Sequence, residues 1–555
     1  MSSVNDAIIK LRFSADDLQL SATDFLRRLE DAPEPLSLVR RLGPHDLLLT
    51  LRAADDEQRC ELLSWADRGQ VSALVDLACW KKNRFRPEAL EALIRPLADS
   101  GANGASKLID DLDPEARVLL LRRYAVVHLR ERPEDEVPAA EGSELIETPD
   151  GYYFIELPDP GSVPATVRNL FGALLLRPFE EYQPELEALR HELPSETEQS
   201  ALRWRNGRLA DLGFGTREEG RSLLAPRDPR QVSRLVRDDA PAIPPLDFDL
   251  TLPAIHRAAL EGRPFLDSAL AAMAASRHPL VADRAGSIWS ELGAMANLYL
   301  TAVDCDLADP REVARHLQWA RDLLSLGVEI AAGGDPERAA VGLARQAPGL
   351  FVQTAMGRLA PLRERARAVL GREGRLGSCR ELLDRPHAVA LEALARQVPG
   401  RWPPLDEGQD TALHPAEPLP GELSAFASRR EVRRAETLLE EAELVEEMLE
   451  RLGATRPAQG DHTASALVSA ALCNAALGRE ARFAPLSAAD WRAGARRALA
   501  PSEEELVIGA LGALGPCCGC TPEGTLDSAS EDDPRRRLLL RTILLAAARL
   551  AARHD

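Results

Sequence analysis

Apolar residues return three and four positions apart along most of the chain, the spacing that lines one face of an α-helix. From about Leu36 to Leu129 the helices are short, and three open on acid-and-proline or acid-rich turns: Gly43-Pro44-His45-Asp46, Asp55-Asp56-Glu57 and Asp113-Pro114-Glu115. Proline at the first helical position and carboxylates in the first turn suit the unpaired N–H groups and the positive dipole end found there. Between these starts the stripe resumes, as in Leu47, Leu48 and Leu51 and then Cys60, Leu62, Leu63, Val71, Leu74 and Leu77. Helices this short cannot bury such a stripe alone, so the pattern predicts a superhelical stack of short helices with no strict repeat length.

The periodicity then breaks. Glu131–Glu147 carries seven carboxylates against one arginine and reads as a solvated linker. Directly after it, Pro149-Asp150-Gly151 lies between two β-favouring runs, which predicts a β-hairpin near 145–157, packed on the helices that follow from Ala165 to Arg237. Residues 238–248 hold three prolines and mark a boundary. Helices are expected over Ser287–Asp304, Pro310–Ile330, Asp335–Gln346 and Leu350–Leu370, with Pro361 kinking or splitting the last. A second proline-rich acidic stretch, Trp402–Leu423, precedes an amphipathic helix in which Ala435, Leu438, Ala442, Val445, Leu449 and Leu452 form the apolar stripe. Eight glutamates between Glu431 and Glu450 fill its outer face, a solvated face over a packed stripe rather than a dimeric coiled coil. The fold class is therefore mainly α, in four units: a short-helix superhelical domain over 1–135, the hairpin plus helices over 144–237, a helical bundle over 249–400 and a C-terminal helical domain over 424–555.

Composition sharpens this picture in two places. Acidic residues number 88 against 68 basic ones, a net charge of −20, so a polyanion is repelled by the average surface. Aromatics are only 4% of the chain, few for stacking platforms, and on both grounds nucleic acid is not expected as a partner. Four of the 68 basic residues are lysines (Lys10, Lys81, Lys82 and Lys107), a bias of composition that carries no functional weight. Met1–Lys10 lacks a basic n-region, and the apolar run Leu506–Cys520 is shorter than the roughly 20 residues of a span. Neither export nor membrane insertion is expected. Eight cysteines, five of them isolated, suit a reducing compartment, so the expected location is the cytoplasm.

Catalytic motifs are sparse. No lysine follows a glycine, which excludes a Walker loop, and Gly213-Phe-Gly215-Thr-Arg-Glu-Glu-Gly220 has the wrong last spacing for a dinucleotide fingerprint. Neither His-Glu-x-x-His nor Gly-x-Ser-x-Gly occurs. Cys517-Cys518-Gly519-Cys520 lacks the second ligand pair of a zinc site and reads as a structural loop, with redox sensing the alternative; no metal and no cofactor are expected. The densest polar constellation runs from Arg203 to Asp211, with Arg203, Arg205, Asn206, Arg208 and Asp211 as candidate ligand-binding residues. On a helix Arg205 and Arg208 share a face and could hold a phosphate or carboxylate bidentately. The competing reading is internal: the guanidiniums tie hairpin and helices together through carboxylates, Glu196 and Glu198 among them, and backbone carbonyls. A second run, Arg363, Arg365, Arg367, Arg372 and Arg375, is interrupted by Glu364 and Glu373 and reads as a solvated helix face. Arg535–Arg553 reads as a core helix.

Leu42–Leu77 resembles the short-helix superhelical domain at the cytosolic end of bacterial magnesium transporters, over less than a fifth of the chain. Without the transporter's membrane part, the likeness implies a stack of short helices and no transport. Leu77-Ala-Cys-Trp80, the Thr148–Phe154 hairpin, Arg203–Phe214 and Phe483-Ala-Pro-Leu-Ser487 together resemble a family of large bacterial helical proteins of unknown function. That resemblance implies a cytosolic, mainly helical protein and brings no activity or catalytic residue. The leading expectation is a helical scaffold or adaptor that binds protein, since stacked helices expose long concave faces and no catalytic constellation is evident. The alternative is an enzyme or binding protein for an anionic small molecule at Arg203–Asp211.

Overall fold

The computed structural model describes residues 32–236 except 82, 131, 133–136 and 138, then 264–401, 423–451 and 463–479, with single positions in 26–29, 489–495 and 538–546. It is mainly α, with a few short antiparallel strand pairs. Cys517, Cys518 and Cys520, Leu452, most of the predicted helix 535–553 and the breaks at 238–248 and 402–422 lie outside the described residues. Contacts gather the rest into two compact units. The first takes the described residues up to Leu223 and the segment Arg277–Arg321; the second takes those of Leu224–Ala242 and Arg263–Ser276 and all from Asp322 onward.

In the first unit the acid and proline starts mark real helix ends. Pro44–Ala53, Pro87–Ala98, Pro114–Leu121 and Pro194–Asp211 each begin with proline at the first turn. Asp55 and Asp67 close capping boxes with Gln58 and Gln70 at the heads of Asp56–Trp65 and Arg68–Ala78. Buried Gln70 also donates through Nε2 to the carbonyls of Val39 and Leu42, 2.9 Å each, which ties two starts together. The hairpin forms as expected, with Glu147 opposite Phe154 and Glu144 opposite Leu157. A third strand joins it, because Val126–Leu129 pairs antiparallel with Tyr153–Leu157 on the other edge. That pairing spans the acidic linker and places segments on both sides of it in one unit, where linker composition alone suggests two.

Further along, helix Arg217–Leu223 packs on Ile288–Ala302. Gly220 permits this approach, since a Cβ there would lie 2.9 Å from the backbone of Ala302. The predicted 249–400 bundle therefore divides, with Ile288–Ala302 in the first unit and Pro336–Arg345, Pro348–Leu370 and Arg385–Leu394 in the second.

In the second unit Pro348–Leu370 runs unbroken through Pro361, although the missing N–H deprives the Gly357 carbonyl of its helical donor. Leu359, Leu362, Ala366 and Val369 are all buried, and their packing holds the helix together against that loss. The glutamate-faced helix is two helices, Arg429–Glu443 and Val445–Arg451, with Leu444 at the joint. Its stripe, Ala435, Leu438, Ala442, Val445 and Leu449, is buried as expected. The second arginine run binds this helix: Arg365 grips Glu443 bidentately at 2.9 Å twice, and Arg372 donates to the Glu443 carbonyl. Arg367 donates to the Ala395 carbonyl and Arg363 to that of Gln397. Beneath it, fully buried Glu441 accepts from Arg541 Nε at 2.9 Å and lies 3.0 Å from His387 Nε2. Burial pushes the Glu441 carboxyl up, but His387 and Arg541 outweigh it and hold the group below its ordinary range. Among the described residues, no helix is long and apolar enough to cross a membrane.

Candidate functional site

Helix Pro194–Asp211 carries the arginine cluster, and the structure separates its members. Asp76, on Arg68–Ala78, is only 2% exposed and receives Arg208 bidentately, Nε to Oδ2 at 2.6 Å and Nη2 to Oδ1 at 2.8 Å. Arg208 also reaches Asp113 at 2.9 Å, the residue that precedes helix Pro114–Leu121. Burial lifts the Asp76 carboxyl above its usual range against the pull of both guanidiniums, while its bond to Asp76 raises Arg208 further. Arg208 is thus a clamp between helices. Glu198 has a similar duty, since its Oε1 accepts the Phe85 N–H at 2.8 Å and pins the small Trp80–Phe85 hairpin to the same helix. Arg203, Trp204 and Asp211 are exposed.

Arg205 is different. Its Nε donates to the Asp76 carbonyl at 3.0 Å, and its guanidinium lies 5.4 Å from the centroid of the Trp80 ring. These two contacts fix the plane of the fork, and neither uses its Nη groups. Burial lowers its pKa to about 10, so Arg205 stays charged at neutral pH with part of its hydration stripped away.

Arg205 lines a cleft of about 310 Å³ within the first unit. Leu77, Leu209, Phe214 and Leu300 supply its apolar walls. Lys81 and Asn83 come from the small hairpin, Asn206 from the Arg205 helix, Thr216 from the loop after it and Arg217 from the start of the next helix. That loop and the first turn of the helix make up the Gly213–Gly220 stretch whose spacing fails as a dinucleotide fingerprint. Gly213 and Gly215 take positive φ, +80° and +58°, and Asn297 and Thr301 donate to the carbonyls of Leu212 and Phe214, so the chain turns sharply along the cleft wall.

Part of the lining is acidic. Helix Ile288–Ala302 ends in a Schellman turn in which Cys305 N bonds Leu300 O at 3.0 Å and Asp304 N bonds Thr301 O at 3.2 Å. The left-handed position of that turn usually holds glycine, yet here it is Asp304, at φ +52°. Asp304 pairs with Arg217 at 2.6 Å, which accounts for a carboxylate at a strained position. Cys305, Asp306 and Glu312 also line the cleft.

Cys305, Glu312 and His316 bring one donor atom each to within 4.8 Å of one another, where the sequence reading expects no metal. Glu312 and His316 stand four residues apart on one face of Pro310–Ala332, with Nε2 3.8 Å from Oε1. His316 Nδ1 is buried and without a hydrogen bond, and burial lowers the ring to about 4, so it is neutral. Burial, with Glu312 and Asp306 nearby, pushes the Cys305 thiol far up. Sequence reasoning missed Lys81, Arg217 and Asp304 as well as this trio. The one signal of the trio in the sequence is Glu312-x-x-x-His316 on a helix.

A model of a family described as "Family of unknown function (DUF6178)" matches residues 13–509. No curated protein and no solved structure matches the chain, so the likeness of Leu42–Leu77 to the transporter domain gains no support.

Proposed function

The chain belongs to the DUF6178 family, whose function is unknown, and we propose on geometry alone that its first unit binds a small anionic molecule in the Arg205 cleft. One observation carries this reading: a guanidinium fixed by Asp76 and Trp80, with no hydrogen bond to its Nη groups among the described residues, lines the cleft. Lys81, exposed on the small hairpin, adds a second cation, and Asn206 a neutral donor. A planar fork at low dielectric matches a carboxylate or phosphate, and each charge-assisted bond is worth about 1.5–3 kcal/mol. Calorimetric titration with inorganic phosphate and with succinate is expected to show binding that Arg205→Gln weakens at least ~10-fold. Arg203→Gln, on the exposed face, is expected to leave it unchanged. Absence of binding to both anions, or equal binding by Arg205→Gln, defeats the reading.

A scaffold or adaptor role is a second reading, favoured by a separate observation. Leu176, Leu193 and Trp204 of the same unit are 81%, 58% and 63% exposed, large apolar side chains that a partner could cover. If they contact a protein partner, Trp204→Glu abolishes co-purification of that partner from the native host while anion binding persists. Retention of every partner by Trp204→Glu counts against this role.

A further inference from the structure

We infer that Cys305, Glu312 and His316 form a binding site for one divalent transition-metal ion of the zinc class, with a coordination position open to the cleft. The donor set itself selects the ion. A thiolate, an imidazole and a carboxylate are the three ligand types zinc accepts, and a hard ion such as Mg²⁺ does not favour sulfur. The three side chains come from two elements fixed independently. The Schellman turn sets Cys305 just beyond one helix, and the four-residue spacing sets Glu312 and His316 on one face of the next.

No other group already consumes these donors among the described residues. Glu312 accepts one backbone N–H, from Asp306 at 3.3 Å, which occupies a single lone pair. His316 Nε2 lies 3.8 Å from Glu312 Oε1, beyond hydrogen-bond distance, and the buried Nδ1 of the same ring has no partner either. A buried polar atom left unmatched costs free energy that a ligand can recover. Tetrahedral coordination at bond lengths of about 2.0–2.3 Å requires donors about 3.5 Å apart, and rotation about side-chain torsions closes that gap from the present spread. Binding displaces the Cys305 thiol proton to solvent, leaving a thiolate on the metal; no electron is transferred.

Cys305 and Glu312 line the cleft whereas His316 does not, so the ion lies at the wall with one side toward the chamber. Three protein ligands and an open position are the arrangement of catalytic rather than closed structural zinc sites. This site stands without the anion reading. If both hold, an anion held by Arg205 shares its chamber with the metal's open position.

The test is titration of chelator-treated full-length protein with Co²⁺ and with Zn²⁺, in a variant with Cys517, Cys518 and Cys520 changed to serine so that the cysteine cluster cannot contribute. One equivalent of Co²⁺ is expected, with sulfur-to-cobalt charge-transfer absorption. Cys305→Ser is expected to abolish that absorption, and both Glu312→Gln and His316→Ala to weaken Zn²⁺ binding more than ~100-fold, beyond the loss typical of an outer-shell partner. Thermal unfolding without metal shows whether each variant is folded, and Glu312→Gln, a near-isosteric change, decides the case if His316→Ala is not. No bound Co²⁺, or charge-transfer absorption that survives Cys305→Ser, overturns the site. Titration without anion tests the metal, and titration of the metal-free protein with phosphate tests the anion reading, so the two fail separately.

Discussion

Arg117→Met is expected to destabilise the first unit by about 3–5 kcal/mol, the usual cost of removing one partner of a buried ion pair. Arg117 and Glu185 are each 6% exposed, and the guanidinium engages the carboxylate through two nitrogens, Nε to Oε2 at 3.1 Å and Nη2 to Oε1. Its Nη1 donates to the carbonyls of Ile109, at 2.6 Å, and Leu112. A methionine fills much of the volume but leaves a buried carboxylate unpaired and two carbonyls without a donor. Most of the loss comes from that stranded charge rather than from the attraction removed, because desolvation nearly cancels the attraction in the intact pair. The double variant Arg117→Met/Glu185→Leu is therefore expected to recover well over half of the deficit. Hydrogen exchange of the amides in Pro114–Leu121 and Phe179–His191 measures both. A single variant within about 1 kcal/mol of the natural protein, or a double variant no better than the single, contradicts the argument.

Arg117 also shows where sequence reading stops. It stands in an ordinary helical stretch, Glu115-Ala116-Arg117-Val118, whereas Arg203–Arg208 forms a dense and conspicuous cluster. Yet Arg117 is deeply buried, and Arg208 of the cluster is a clamp too. Local density reports how many charges lie near one another along the chain, while the partners that decide a guanidinium's role come from other elements: Asp76 and Asp113 for Arg208, Trp80 for Arg205. Helix starts were legible because a cap acts within four residues, as Asp55 with Gln58 and Asp335 with the N–H groups of Glu337 and Arg338. The hairpin was legible for the same reason. The third strand was not, since Val126–Leu129 finds its partner only across the acidic linker. The Cys305 trio needs the exact turn between two helices, because one residue more or less between Cys305 and Glu312 would rotate them onto different faces.

Lowering the pH from 7 to 4 is expected to cost the first unit about 3 kcal/mol through His45 alone. His45 opens helix Pro44–Ala53 and is 3% exposed, and burial lowers its pKa to about 4 from 6.5. The opposing influence is a hydrogen bond to the Leu307 backbone, and the facing charge is Arg52, which lowers the value further. Between pH 6.5 and 4 the unfolded chain binds a proton at this ring that the folded chain does not, so stability rises with pH across that window and falls as the pH drops through it. The loss is complete below about 4, where both states are protonated, and all but absent at 7, where neither is. His45→Gln keeps a donor for the Leu307 carbonyl and removes the titration. Hydrogen exchange of the Pro44–Ala53 amides, followed from pH 7 to 4.5, is expected to show a loss in the natural protein that exceeds the variant's by roughly 2–3 kcal/mol. Carboxylates titrating in the same range act on both proteins and cancel in the comparison. Parallel profiles would mean that His45 is solvated when it protonates, through local opening of the helix start, and that burial is not what holds its charge off.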